Sequence, residues 1–155
     1  VDYDVTHLPD YCTRKPQPAR LLVMLEISRA AVQSGAFLAQ CRLLAGLLQQ
    51  QDSLPYGRIG LVLFDRAMHF VDLRGGLEPQ LLTVSDLSEP FVPLHDGLFW
   101  DPRSAAGPLA LQLLERLPGL YAETRQVDSC LGAALLVAKE ALRGSGGRVL
   151  ACCAM

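Results

Sequence analysis

The run "RLLVMLEI" at residues 20–27 is the strongest constraint on how this chain folds. It is apolar without alternation and carries one carboxylate, Glu26, near its end. A strand with one wet face alternates apolar and polar residues. An unbroken run of this length instead marks a strand buried on both faces, as in a parallel sheet between helical layers. "RIGLVLF" at 58–64 repeats the pattern. Between them Phe37, Cys41, Leu44 and Leu48 recur at helical spacing, which predicts a helix over 36–51 that "DSLPYG" then ends.

The rest of the chain fits one domain of this kind. "AMHFVDL" (67–73) follows "RIGLVLF" after only Asp65 and Arg66, the spacing of a hairpin, and predicts one antiparallel strand at the sheet edge. "QLLTV" (80–84) is too short to assign, and 85–107 is rich in Pro and Gly. Pro108 stands where a first helical residue would, ahead of "LALQLLERL". A last helix has Leu131, Ala134, Leu135, Ala138 and Leu142 on one face, with Asp128 or Ser129 as its N-cap. "GSGG" ends it, and "RVLACCA" is a final strand. The fold class expected is α/β, a mainly parallel sheet with helices on both faces. Such a sheet normally continues past a strand of this kind, so the domain is expected to be C-terminally truncated here. "RKPQPAR" reads as an extended linker and "VDYDV" as a short strand.

Of the 155 residues half are hydrophobic, which is ample for a core, and the formal net charge is −2. A pI of about 5.9 gives no electrostatic reason to expect nucleic acid as a partner. No apolar run approaches the roughly 18 residues that a membrane helix needs. The five cysteines (Cys12, Cys41, Cys130, Cys152, Cys153) include no C-x-x-C and read as reduced, mostly buried thiols. "RGSGGR" runs from helix to strand, opposite to a phosphate cradle, and lacks the order of a nucleophile elbow. His7, His69 and His95 are scattered. Asp65, Asp86 and Glu89 fall at the expected carboxyl end of the sheet and read as loop charges rather than a catalytic pair.

The strand end "LEISRA" resembles the von Willebrand A type of domain, whose first strand ends in Asp-x-Ser-x-Ser and helps hold a magnesium ion. Here the pattern reads Glu26-x-Ser28-x-Ala30. Magnesium demands near-octahedral oxygen ligands at about 2.0–2.1 Å. Glu26 carries an extra methylene, Ala30 has no donor, Ser129 is acceptable, and Met155 stands where a final Asp belongs. No metal or other cofactor is expected, only a vestigial site around Glu26, Ser28, Ala30 and Ser129.

A closer resemblance is carried by "AVQSG", "RIGLVLFDRAMHF", "PQLLTVSDLSEPFVPL", "LYAETRQVDSCLGAAL" and "GGRV", in that order. Together they are similar to the trunk domain of the cargo-adaptor subunit of the inner COPII coat, over about residues 13–151. The chain departs from that family in a shorter "DSLPYGRIG" and in Glu26 where adaptors have Asp. The resemblance divides the chain into residues 1–15, a linker with a possible strand of a neighbouring β-sandwich, and 16–155, a partial trunk. It implies a non-enzymatic structural and adaptor role in traffic from endoplasmic reticulum to Golgi. The implied location is cytoplasmic and peripheral, at endoplasmic reticulum exit-site membranes and on COPII vesicles. The implied partners are the coat's GTPase-activating subunit and, through the whole coat, cargo proteins and the Sar-type GTPase. Zinc would belong to an upstream module. The alternative is a metal-dependent A-type ligand-binding domain. The loops at the carboxyl ends of the strands are the expected partner face, with Ser28, Arg29, Asp65, Arg66, Asp128 and Ser129.

Overall fold

The computed structural model describes residues 17–50, 54–74, 78–94 and 96–154. In chain order the elements are β1 (Arg20–Glu26), α1 (Arg29–Gln33), α2 (Ala36–Gln49), β2 (Arg58–Phe64), β3 (Met68–Asp72), β4 (Gln80–Val84), β5 (Phe99–Trp100), α3 (Ala106–Leu120), α4 (Leu131–Ala141) and β6 (Arg148–Cys152). The "VDYDV" strand, His7, His95, Cys12 and Met155 lie outside the described residues.

β1 is central because its side chains are apolar on both faces. Leu22 and Met24 enter one core with Val62, Phe64, Met68 and Phe70, beneath Ala134, Val137 and Ala138 of α4. Val23 and Leu25 enter the other with Phe37, Cys41, Leu44 and Leu48 of α2 and Leu113, Leu114 and Leu117 of α3. This is the expected three-layer arrangement. The sheet order is β4-β3-β2-β1-β6, with β5 paired to β2 off that path. β2 and β6 pair in parallel with β1, while β3 and β5 run antiparallel to β2. β4 is antiparallel to β3 and so runs with β1. The antiparallel strand placed at the edge by the sequence therefore lies one strand in, because "QLLTV" adds outside it.

Two glycines make room. A side chain at Gly60 would meet Leu22, Phe99 and the Leu98 carbonyl at 3.1 Å, where β5 joins β2. Gly147 has φ +148, and a Cβ there would stand 2.7 Å from the Arg20 carbonyl where β6 enters the sheet.

The helix starts differ from the expectation for tertiary and local reasons. α3 begins at Ala106, two residues before Pro108. Asp101 and Ser104 build the entry turn, with the Ser104 hydroxyl accepting from Ala106 N at 3.2 Å. Pro108 still lies in the first turn, where its missing N–H costs no intrahelical bond. α4 is capped by Cys130, not Asp128 or Ser129, and no side chain makes the cap bond. The Cys130 N–H is instead satisfied across the fold by the Asp65 carbonyl at 2.6 Å. The buried face of α4 is also rotated: Ala134, Val137 and Ala138 are buried while Leu135 is 48% exposed. Small residues let the helix approach the sheet closely, and Leu135 falls outside that contact.

Candidate partner face at the carboxyl ends of β1 and β2

Three loops meet at this end of the sheet. The Ile27 N–H donates to the Phe64 carbonyl at 2.9 Å, joining the loops after β1 and β2. The Arg29 N–H donates to the Gln126 carbonyl at 2.6 Å, and the Cys130 N–H to the Asp65 carbonyl at 2.6 Å. The segment before α4 is thereby tied to both. These bonds bring together the loops that carry the residues of the expected partner face, from sequence positions about a hundred residues apart. Arg29, Arg66, Asp128 and Ser129 are exposed, and Asp65 is half-buried.

Ser28 departs from the expectation of a surface residue. It is 1% exposed and lies beneath the face. Its hydroxyl accepts from Ala31 N at 3.4 Å and caps α1. Ser28→Ala should therefore destabilise the fold by about 0.5–1 kcal/mol, at the lower end for a cap because the bond is long. Thermal unfolding checks this, and no change in melting temperature would remove the cap from the account.

The Asp65–Arg66 turn is stiff. The Asp65 N–H donates to the Ala67 carbonyl at 3.0 Å, and an Asp65 carboxylate oxygen accepts from Ala67 N at 2.8 Å. Arg66 is held at its tip, exposed, and neither Arg66 nor Arg29 forms an ion pair among the described residues. Asp65 also faces His69, whose Nε2 lies 3.6 Å from its Oδ1, while His69 Nδ1 is 2.9 Å from Thr83 Oγ1. The sequence does not mark His69 as a site residue. Its only signal there is the four-residue spacing from Asp65, which has no meaning until the hairpin folds. Asp86, grouped with Asp65 in the sequence, is held by Ser88 instead, whose N–H and hydroxyl donate to it at 3.0 and 2.6 Å.

Burial, and then the Asp65 charge, push the Cys130 thiol and the Tyr121 hydroxyl above their ordinary ranges. Both groups therefore stay protonated, and Cys130 is a poor nucleophile. Cys41, in the core, is pushed up to about 12 by burial and by Cys152.

The magnesium pattern does not fit these positions. Glu26 is 6% exposed, and its Oε2 accepts from the Ala154 N–H at 2.8 Å. The extra methylene takes the carboxylate to the chain just past β6. Ser28 is committed to α1, and Ala30 has no donor. Ser129 alone is an exposed hydroxyl, and Met155 lies outside the described residues.

The chain is similar to known proteins over most of its length. Human Sec24B, a protein transport protein, is 39% identical over 144 residues, which cover 90% of this chain and 11% of the relative. Human Sec24A is 33% identical over 144 residues, covering 90% of this chain and 13% of the relative. The crystal structure of the human COPII-coat protein Sec24c superposes with a TM-score of 0.77 at 25% identity, covering 92% of this chain and 20% of that one. The chain thus spans between about a ninth and an eighth of the length of these curated relatives. A model of the Sec23/Sec24 trunk domain matches residues 16–155, and with these relatives it shows that the chain belongs to the Sec23/Sec24 trunk-domain family, on its Sec24 side.

Proposed function

We propose that this chain acts as a non-enzymatic structural and adaptor part of the COPII coat in transport from endoplasmic reticulum to Golgi, its trunk docking on the coat's GTPase-activating subunit. The observation that carries the reading is the trunk match over residues 16–155, together with relatives that are protein transport proteins. The three tied loops supply a surface suited to it: exposed arginines on a braced frame. Arginine is favoured at interfaces because its planar fork pairs with carboxylates through two hydrogen bonds. The reading places the protein in the cytoplasm, peripheral on endoplasmic reticulum exit-site membranes and coated vesicles, where the Sar-type GTPase recruits the coat and cargo is bound. No described helix is long and apolar enough to cross a membrane. Residues 16–155 would then be part of one trunk domain, residues 1–15 a lead-in from a neighbouring module, and any zinc would sit in another part of the adaptor.

The complete protein should co-elute with the GTPase-activating subunit and float with liposomes only when that subunit and GTP-loaded Sar-type GTPase are present. Flotation without them, or no association with the subunit, would contradict the proposal.

The A-type alternative requires a divalent ion, and the engaged Glu26 and Ser28 argue against it. Calorimetry with magnesium or manganese should show no saturable heat below millimolar concentration. A micromolar site with a matching rise in melting temperature would restore the alternative.

A further inference from the structure

β4 ends the sheet, with β3 on one side and no strand on the other among the described residues. Its sequence, "QLLTV", has no charge, proline or bulge to guard the open edge, the devices by which sheets resist adding a strand. Leu81 and Leu82 point to opposite faces, and each is 37% exposed. The edge thus offers unpaired backbone groups and apolar contacts above and below, the two components of recognition by strand addition.

The charges around it select the occupant. From Gly75 to Leu94 the sequence contains Glu78, Asp86 and Glu89 and no lysine or arginine. All three carboxylates are exposed, and none joins an ion pair among the described residues. Arg74, just before this stretch, is already paired with Asp72 at 2.8 Å. A second copy of β4 is a poor occupant, because antiparallel pairing would bring Glu78 of one chain toward Asp86 of the other. We propose that the open edge of β4 docks an extended segment of a partner protein that carries basic side chains, adding it as a further strand with its cations beside Glu78 and Glu89. The carboxyl end of this edge adjoins the Asp65–Arg66 turn, since Val84 stands opposite Met68 and Thr83 reaches His69 beside Asp65.

The test uses the complete protein and two synthetic seven-residue probes, one alternating valine with lysine and the other valine with glutamate. The lysine peptide should bind saturably and slow amide exchange at residues 80–84. Its affinity should fall about tenfold in the Glu78→Lys/Glu89→Lys variant, as expected for two exposed charge pairs, and should weaken with salt. Neither glutamate makes a hydrogen bond among the described residues, so the variant should keep its fold by circular dichroism. Equal binding of both peptides, binding without protection of 80–84, or an affinity unchanged in the variant would overturn the proposal. Concentration-dependent self-association abolished by Leu82→Lys would also overturn it, in favour of a second copy as the occupant.

Discussion

Changing Arg29 and Arg66 together to Glu in the complete adaptor should weaken its association with the GTPase-activating subunit by at least about 2 kcal/mol, roughly 30-fold in Kd. Arg29 opens α1 from a loop tied to Gln126, and Arg66 sits at the tip of a turn closed by two hydrogen bonds to Asp65. Their backbones are therefore fixed before a partner arrives, and little ordering free energy is lost on docking. Both side chains are exposed, so neither substitution removes a core contact. The double variant should keep its circular dichroism and melting temperature while affinity and its salt dependence fall. Titration of the purified subunits decides the matter. An unchanged affinity with an unchanged salt slope would take these loops out of the interface and leave the family membership intact.

Glu26→Ala should destabilise this 155-residue chain by about 2 kcal/mol, because the Ala154 N–H loses its acceptor just past β6. Relief from burying a carboxylate offsets part of the loss, which keeps the figure well below that for breaking a buried ion pair. The conservative variants separate reach from charge. Glu26→Gln retains an acceptor oxygen at the same length and should cost less than about 1 kcal/mol. Glu26→Asp is one methylene short of Ala154 and should approach the alanine value, although it restores the side chain of the magnesium pattern. Urea unfolding followed by Trp100, the single tryptophan of the chain, measures all three. Were Glu26→Asp as stable as wild type, or more stable with magnesium, the carboxylate would not be serving as a strand-end acceptor.

Local pattern determined much of the architecture, because burial on both faces leaves its mark along a single element. The unbroken apolar runs of β1 and β2 and the stripe of Phe37, Cys41, Leu44 and Leu48 are each visible within a dozen residues or so. They require a sheet between helices whatever the neighbours are. The same holds for the short link at Asp65 and Arg66, which only a hairpin can accommodate.

What the sequence alone did not determine depended on groups supplied from far along the chain. "QLLTV" became the edge strand because β3 offered it a ladder, and no pattern of five residues specifies that. The start of α4 was decided by the Asp65 carbonyl, which satisfied the Cys130 N–H and made an Asp128 or Ser129 cap unnecessary. The buried face of α4 was decided by how closely Ala134 and Ala138 approach the sheet, so Leu135 was left outside. Ser28 and Glu26 carried the residue types of a metal site in their spacing. Only the folded chain set their partners, Ala31 N and Ala154 N, and a backbone donor within reach takes an oxygen that a cation would otherwise need. Sequence by itself therefore determined the layers of this domain and the candidate face at one end of its sheet. Tertiary structure decided which polar atoms on that face are already satisfied and which remain open to a partner, because hydrogen bonds between distant loops have no counterpart in local periodicity.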